Sequence, residues 1–159
     1  MSKDRKKIHS VMVLFFILYI LLLFYLLFFS ESYGRTIEER EYRYNLELFK
    51  EIKRFWNYRE TLGWKTVIVN LVGNIIAFMP FGFFLPLFFN IGKNFFCSIF
   101  LSAFFSFLVE SIQLATKVGA FDVDDIFLNA LGGFIGFLVY YSTKPLLDKK
   151  IFHKVDGKK

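Results

Sequence analysis

The sequence predicts an all-α integral membrane protein with four transmembrane helices and an amphipathic interfacial helix between the first and second. Three observations predict it. Four apolar runs, 8–29, 66–89, 95–116 and about 125–141, are each long enough to cross or nearly cross a bilayer. The chain is 55% hydrophobic and 21% aromatic with 24 Phe in 159 residues, more large apolar surface than a soluble domain of this size can hide. Lys and Arg flank the apolar runs and never interrupt them, so the net charge of +6 reports membrane orientation and gives little support to nucleic-acid binding.

The first run spans roughly 33 Å as a helix, which matches the hydrocarbon thickness of a bilayer. The basic flank Lys3-Asp4-Arg5-Lys6-Lys7 resembles that of a secretory signal, but the apolar stretch is too long and no small-residue cleavage site follows, so a retained anchor is expected. Between the first and second runs, Leu46, Phe49, Ile52 and Phe55 or Trp56 recur at helical spacing, with Glu47, Lys50, Glu51, Lys53 and Arg54 on the other faces. Such a helix either lies in the headgroup layer, pinned by Trp56, Tyr58 and Trp64, or packs on the other helices.

Four spans put both termini on one side. Lys3, Arg5, Lys6 and Lys7, Lys93 in the second connection, and Lys144, Lys149, Lys150, Lys154, Lys158 and Lys159 place the tails in the cytoplasm of a multi-pass cell-membrane protein. The long first loop then lies outside, although Arg35, Arg40, Arg43, Lys50, Lys53, Arg54, Arg59 and Lys65 run against that rule. The chain accordingly divides into 1–29, the amino-terminal tail and first transmembrane helix; 30–65, an extracytoplasmic loop with the amphipathic helix; 66–143, a three-helix core; and 144–159, a basic cytoplasmic tail.

The informative residues are polar ones inside the spans. Ser106, Glu110 and Gln113 share one face of the third helix. A carboxyl at that depth is expensive, so Glu110 marks either a functional site or a hydrogen-bonded strut that fixes helix packing. Asn70 and Asn74 form a stripe on the second helix, and Asp125 and Asn129 form another at the start of the fourth. With the helices alternating in direction, all of these fall within roughly 12 Å of the outer helix ends, which predicts a polar pocket opening outward or to the outer leaflet.

The third connection, 116–125, closes that pocket and adds Asp122 and Asp124. Asp124 or Asp125 is expected to cap the fourth helix. The carboxylate spacing is not that of a calcium loop, and His9 and His153 have no Cys or His cluster near them, so neither a metal nor another cofactor is expected. Cys97 is expected to be packing. Gly73 and Gly82 suggest close helix approach, and Gly132 and Gly136 stand in small-xxx-small register.

In order, Asn70-Leu71-Val72-Gly73-Asn74, Phe78-Met79-Pro80-Phe81-Gly82-Phe83, Glu110-Ser111-Ile112-Gln113, Asp122-Val123-Asp124-Asp125, Asn129 and Leu131-Gly132-Gly133 resemble the VanZ-like family. The resemblance runs from about 44 to 141. Tyr44-Asn45-Leu46-Glu47-Leu48-Phe49 is similar to a pre-helix motif of that family, with Leu48 where proline is common. Ala120 stands where many members carry arginine. The resemblance implies a cell-envelope membrane protein, of a family whose founding member is associated with resistance to the glycopeptide teicoplanin, and makes 66–143 the VanZ-like core.

Three functions are open at this stage. The first is a binding or resistance factor. Its outward pocket of Asn70, Asn74, Glu110, Gln113, Asp122, Asp124, Asp125 and Asn129 would engage a membrane lipid, a lipid-linked cell-wall precursor or the glycopeptide. The second is an intramembrane enzyme acting on a lipid-linked substrate, with Glu110 as general acid or base, although no nucleophile, triad or phosphate loop accompanies it. The third is a small transporter or assembly subunit, which four spans would build only as an oligomer or with a partner.

Overall fold

The computed structural model describes residues 3–29 and 41–147. Expectations for the rest, including Arg35, Arg40, His153 and the lysines beyond 147, lie outside the described residues.

Helix α1 (Lys3–Phe29) is followed by a two-residue strand β1 (Tyr44–Asn45), helix α2 (Lys50–Asn57) and a single turn α3 (Arg59–Leu62). Helix α4 (Trp64–Phe88) leads through a 3-10 turn (Ile91–Lys93) into α5 (Phe95–Ala115). Strand β2 (Phe121–Asp122) and α6 (Val123–Leu147) complete the described chain. Helices α1, α4, α5 and α6 are long and apolar enough to cross a membrane.

The four long helices alternate in direction. His9 of α1 stacks on Phe88 at the end of α4, and the Tyr141 hydroxyl of α6 donates to the Lys93 carbonyl, so both ends of the described chain meet the second connection. At the opposite end, the start of α4, the end of α5 and the start of α6 converge beneath the strand pair. There β1 and β2 run parallel, with Tyr44 opposite Phe121 and Asn45 opposite Asp122. This short ladder ties the first loop to the third connection across about half of the sequence.

Helix packing relies on small residues. A β-carbon on Gly82 would collide with the Gly133 carbonyl, one on Gly132 with the Ile75 carbonyl, and one on Gly136 with the Met79 carbonyl. The register expected for Gly132 and Gly136 therefore brings the α6 backbone against α4, and Gly133 likewise meets Ser102 of α5. Ser98, Ser102 and Ser106 form a fully buried stripe one turn apart on α5. In hydrocarbon, burying a leucine brings no gain over leaving it in lipid, so close backbone approach and hydrogen bonds hold the bundle. Phe78 of α4 fills the interior and is fully buried, while large side chains of α5 face outward, Phe96 76% and Phe100 67% exposed.

Gly73 departs from the expectation of close packing, because a β-carbon there would meet no heavy atom of the described residues within 4 Å. Pro80 and Pro86 do not interrupt α4, which is continuous through both. The amphipathic segment is also shorter than its periodicity suggested. Phe49 takes a left-handed φ of 67°, so helix α2 starts only at Lys50, and Gly63, with φ 81°, separates α3 from α4.

Candidate functional site

Asn70, Asn74, Glu110, Gln113, Asp122, Asp124, Asp125 and Asn129 all line one cavity of about 250 Å³ at the strand-pair end of the bundle. Helix spacing explains the convergence. Asn70 and Asn74 project from the first turns of α4, Glu110 and Gln113 from the last turns of α5, and Asp125 and Asn129 from the first turns of α6. Glu110, Asn74 and Asn129 are 3%, 6% and 2% exposed.

Most of these side chains hold the structure with one atom. Asn74 Nδ2 donates to Asp125 Oδ1 at 2.6 Å, joining α4 to α6. Glu110 Oε2 accepts the Asp122 backbone N–H at 3.1 Å, joining α5 to the third connection. Asn129 Nδ2 donates to Ser106 Oγ at 2.8 Å, and Gln113 Nε2 to the Leu27 carbonyl at 2.9 Å, which ties α1 to the bundle. Asn70 is the exception, since its amide bonds back to the Thr66 carbonyl of its own helix.

The helix caps differ from the sequence expectation. Asp122, not Asp124 or Asp125, caps α6, accepting the Asp124 backbone N–H on Oδ1 at 2.8 Å. The same oxygen accepts Asn45 Nδ2 at 2.9 Å, a side-chain bond between the residues paired in the ladder. Burial pushes the Asp122 carboxyl above its ordinary value, while the bonds from Asn45 and Asp124 act against that shift. Asp124, freed from capping its own helix, accepts the backbone N–H of Phe49, of Glu51 at 2.8 Å and of Ile52 at 3.1 Å. It thus fills the donor cluster at the start of α2, where a negative charge is favoured.

Helix α2 is held over the cavity by that cap and turns Glu51, Ile52 and Phe55 into its wall. Trp56, at the end of the same helix, is exposed and meets Trp64 edge to face at 6.2 Å. Sequence reasoning missed Glu51, Arg43 and Arg54 as lining residues, because a charge on an amphipathic helix or in a loop reads as a solvated face. Arg54 pairs with Glu51 at 2.6 Å. The cavity therefore carries five carboxyls and two guanidiniums. Asn45 was legible only through the pre-helix motif.

Acceptors dominate. Asn70, Asn74, Gln113 and Asn129 each direct an N–H to a protein oxygen, while Asn129 Oδ1, fully buried, has no hydrogen-bond partner among the described residues. A molecule offering hydroxyl or ammonium hydrogens would complete what the walls leave open. Among the described residues, no group of three or more His, Cys, Asp or Glu is arranged to hold a metal ion. Among the described residues, no serine or histidine is hydrogen-bonded to Glu110 as a nucleophile or base partner would be; Glu110 accepts the Asp122 backbone N–H.

The VanZ/LLP1 family model matches residues 16–147. The chain is similar to Protein VanZ of Enterococcus faecium, 36% identical over 88 residues, an alignment covering 51% of this chain and 50% of the relative. The similarity thus spans about half the length of that relative. No solved structure matches the chain. The matched region runs from the middle of α1 to the end of α6 and contains every residue of the cavity, and the chain belongs to the VanZ/LLP1 family.

Proposed function

We propose that this multi-pass protein lies in the cell membrane with both termini cytoplasmic, and that its cavity faces outward and receives a small, donor-rich polar headgroup. The observation that carries this reading is the convergence of eight polar side chains, from three membrane helices and one connection, on a single acceptor-rich cavity. Intramembrane carboxyls and amides are costly, and one hydrogen bond per side chain would fix the bundle without leaving a hollow between them. The exposed rings of Trp56, Tyr58 and Trp64 support a headgroup-layer position for α2 and α3 around the cavity mouth.

The volume discriminates between ligands. About 250 Å³ is below the range for a drug-sized molecule, roughly 300–1,000 Å³, so it suits a lipid headgroup or one polar part of a cell-wall precursor better than an entire glycopeptide. Membership in the VanZ/LLP1 family and similarity to Protein VanZ support a link to resistance of the teicoplanin type. On this reading, protection comes from binding an envelope lipid or precursor and requires no covalent chemistry.

The test is glycopeptide susceptibility in cells expressing the wild type, Glu110→Gln or Asn74→Ala, with membrane insertion verified for each. Protection by the wild type and its loss in both variants is expected. Full protection by correctly inserted variants would sink the pocket reading.

A further inference from the structure

We infer that the headgroup in the polar cavity arrives attached to a hydrocarbon chain, which lies in the groove between α1 and α4, so that the ligand is a bilayer lipid entering sideways from the membrane. The inference rests on the headgroup reading above and names its ligand class.

The groove has a volume of about 360 Å³. Leu26 of α1 and Ile68, Val72 and Ile76 of α4 line it, and all four are also exposed on the outer surface of the bundle, where hydrocarbon surrounds a membrane helix. Two polar ties bracket it. The Tyr19 hydroxyl donates to the Ala77 carbonyl at 2.7 Å, and Gln113 donates to the Leu27 carbonyl at 2.9 Å. The eight-residue step from Tyr19 to Leu27 rises about 12 Å, room for a stretch of one extended chain.

Continuity identifies the occupant. Leu27 and Asn74 line both the groove and the polar cavity, so the apolar channel opens onto the acceptor cluster at Asn74. A second apolar hollow between α1 and α4, of about 480 Å³ and lined by Val11, Phe15, Phe83 and Phe84, lies nearer the opposite end and shares no residue with the polar cavity. A water-soluble ligand has no use for the first arrangement, whereas a lipid matches it at both ends.

Gly73 adds an independent observation. Glycine within a helix costs about 1 kcal/mol relative to alanine, and the other α4 and α6 glycines offset that cost by close backbone contact. Gly73 makes no such contact; it lines the groove, and any side chain there would project into it. Its missing side chain keeps the channel open.

The experiment places the full chain in nanodiscs of phosphatidylethanolamine and phosphatidylglycerol, with a trace of phosphatidylethanolamine carrying a photoreactive group in mid-chain. Cross-links in the wild type should concentrate at 68–76 and around Leu26, above the level at Phe15 and Phe83, which serve as the ordinary lipid contact. Gly73→Leu should cut groove labelling about tenfold, the effect of excluding roughly two methylenes, with Phe15 and Phe83 unaffected. Leu26→Trp fills the groove from the other side and should act alike, which covers a folding failure of either variant. Groove labelling no greater than at Phe15, or unchanged in both variants, overturns the inference.

Chain-free phosphoethanolamine separates this inference from the reading beneath it. Thermal stabilisation of the wild type and Gly73→Leu alike, but not of Glu110→Gln, would leave the headgroup site standing even if groove labelling failed. No stabilisation of any form, together with no groove labelling, would remove both.

Discussion

Phe49 donates its backbone N–H to the carboxylate of Asp124, 75 residues further along the chain, and the same carboxylate takes the N–H groups of Glu51 and Ile52. One side chain at the start of α6 thereby caps α2 from outside. Asp124→Ala strands those donors under a half-buried roof and should destabilise the fold by about 1–3 kcal/mol. Asp124→Asn, which keeps an acceptor but loses the charge, should cost less. Amide hydrogen exchange in detergent should accelerate at 49–52 in the alanine variant; unchanged exchange there would show that another group holds α2.

The glycines of the bundle should separate into two classes. Gly136→Ala pushes a β-carbon into the Met79 carbonyl and forces α4 and α6 apart, at an expected cost of about 1–3 kcal/mol. Gly73→Ala meets open space and should be neutral or stabilising by up to about 1 kcal/mol. Thermal unfolding in one detergent ranks them, and equal behaviour would contradict the packing described.

Asn74 and Asp125 should behave as a coupled pair. Asn74→Ala leaves the Asp125 carboxyl without its amide donor, and Asp125→Asn weakens the same bond from the other side. A double-mutant cycle on unfolding free energy should return a coupling of about 0.5–3 kcal/mol. Strict additivity would mean that the 2.6 Å contact contributes nothing specific.

Asp122 confers a pH dependence of definite sign. Its folded carboxyl binds a proton more tightly than an unfolded one, because burial disfavours the charge. Its contribution to stability therefore grows as pH falls through the folded value, is complete below the unfolded value near about 4, and is lost as pH rises. Asp122→Asn should flatten that rise in unfolding temperature on acidification. An unchanged slope relative to the wild type would assign the effect to other carboxyls.

Much of this was legible because hydrocarbon imposes simple rules. The runs 66–89 and 95–116 correspond to Trp64–Phe88 and Phe95–Ala115 within two residues at each end, since an uninterrupted apolar stretch leaves the backbone little alternative to a helix. The fourth helix runs past 141 to Leu147, because Ser142, Thr143 and Lys144 end the apolar pattern without breaking the helix. Depth alone brought Asn74, Glu110 and Asn129 to one level. Partners distant in sequence were not legible. Nothing local distinguishes Asp122 as the α6 cap from Asp124 as the α2 cap, and nothing in a charged loop marks Arg43 or Glu51 as cavity walls. Gly73 looked like its packing counterparts because a motif records the missing side chain but not what stands opposite.

The strand pair also constrains the order of biogenesis. Asn45 and Phe49 leave the ribosome well before Asp122 and Asp124, and Asp124 already belongs to the first turn of α6. Until that helix inserts, α2 lacks the cap that Asp124 supplies and the hollow lacks the wall formed by Asp125, Leu128 and Asn129. The earlier spans must therefore wait in the bilayer as an open, unsealed intermediate, and a nascent chain arrested before α6 would be exposed to membrane quality control at that stage.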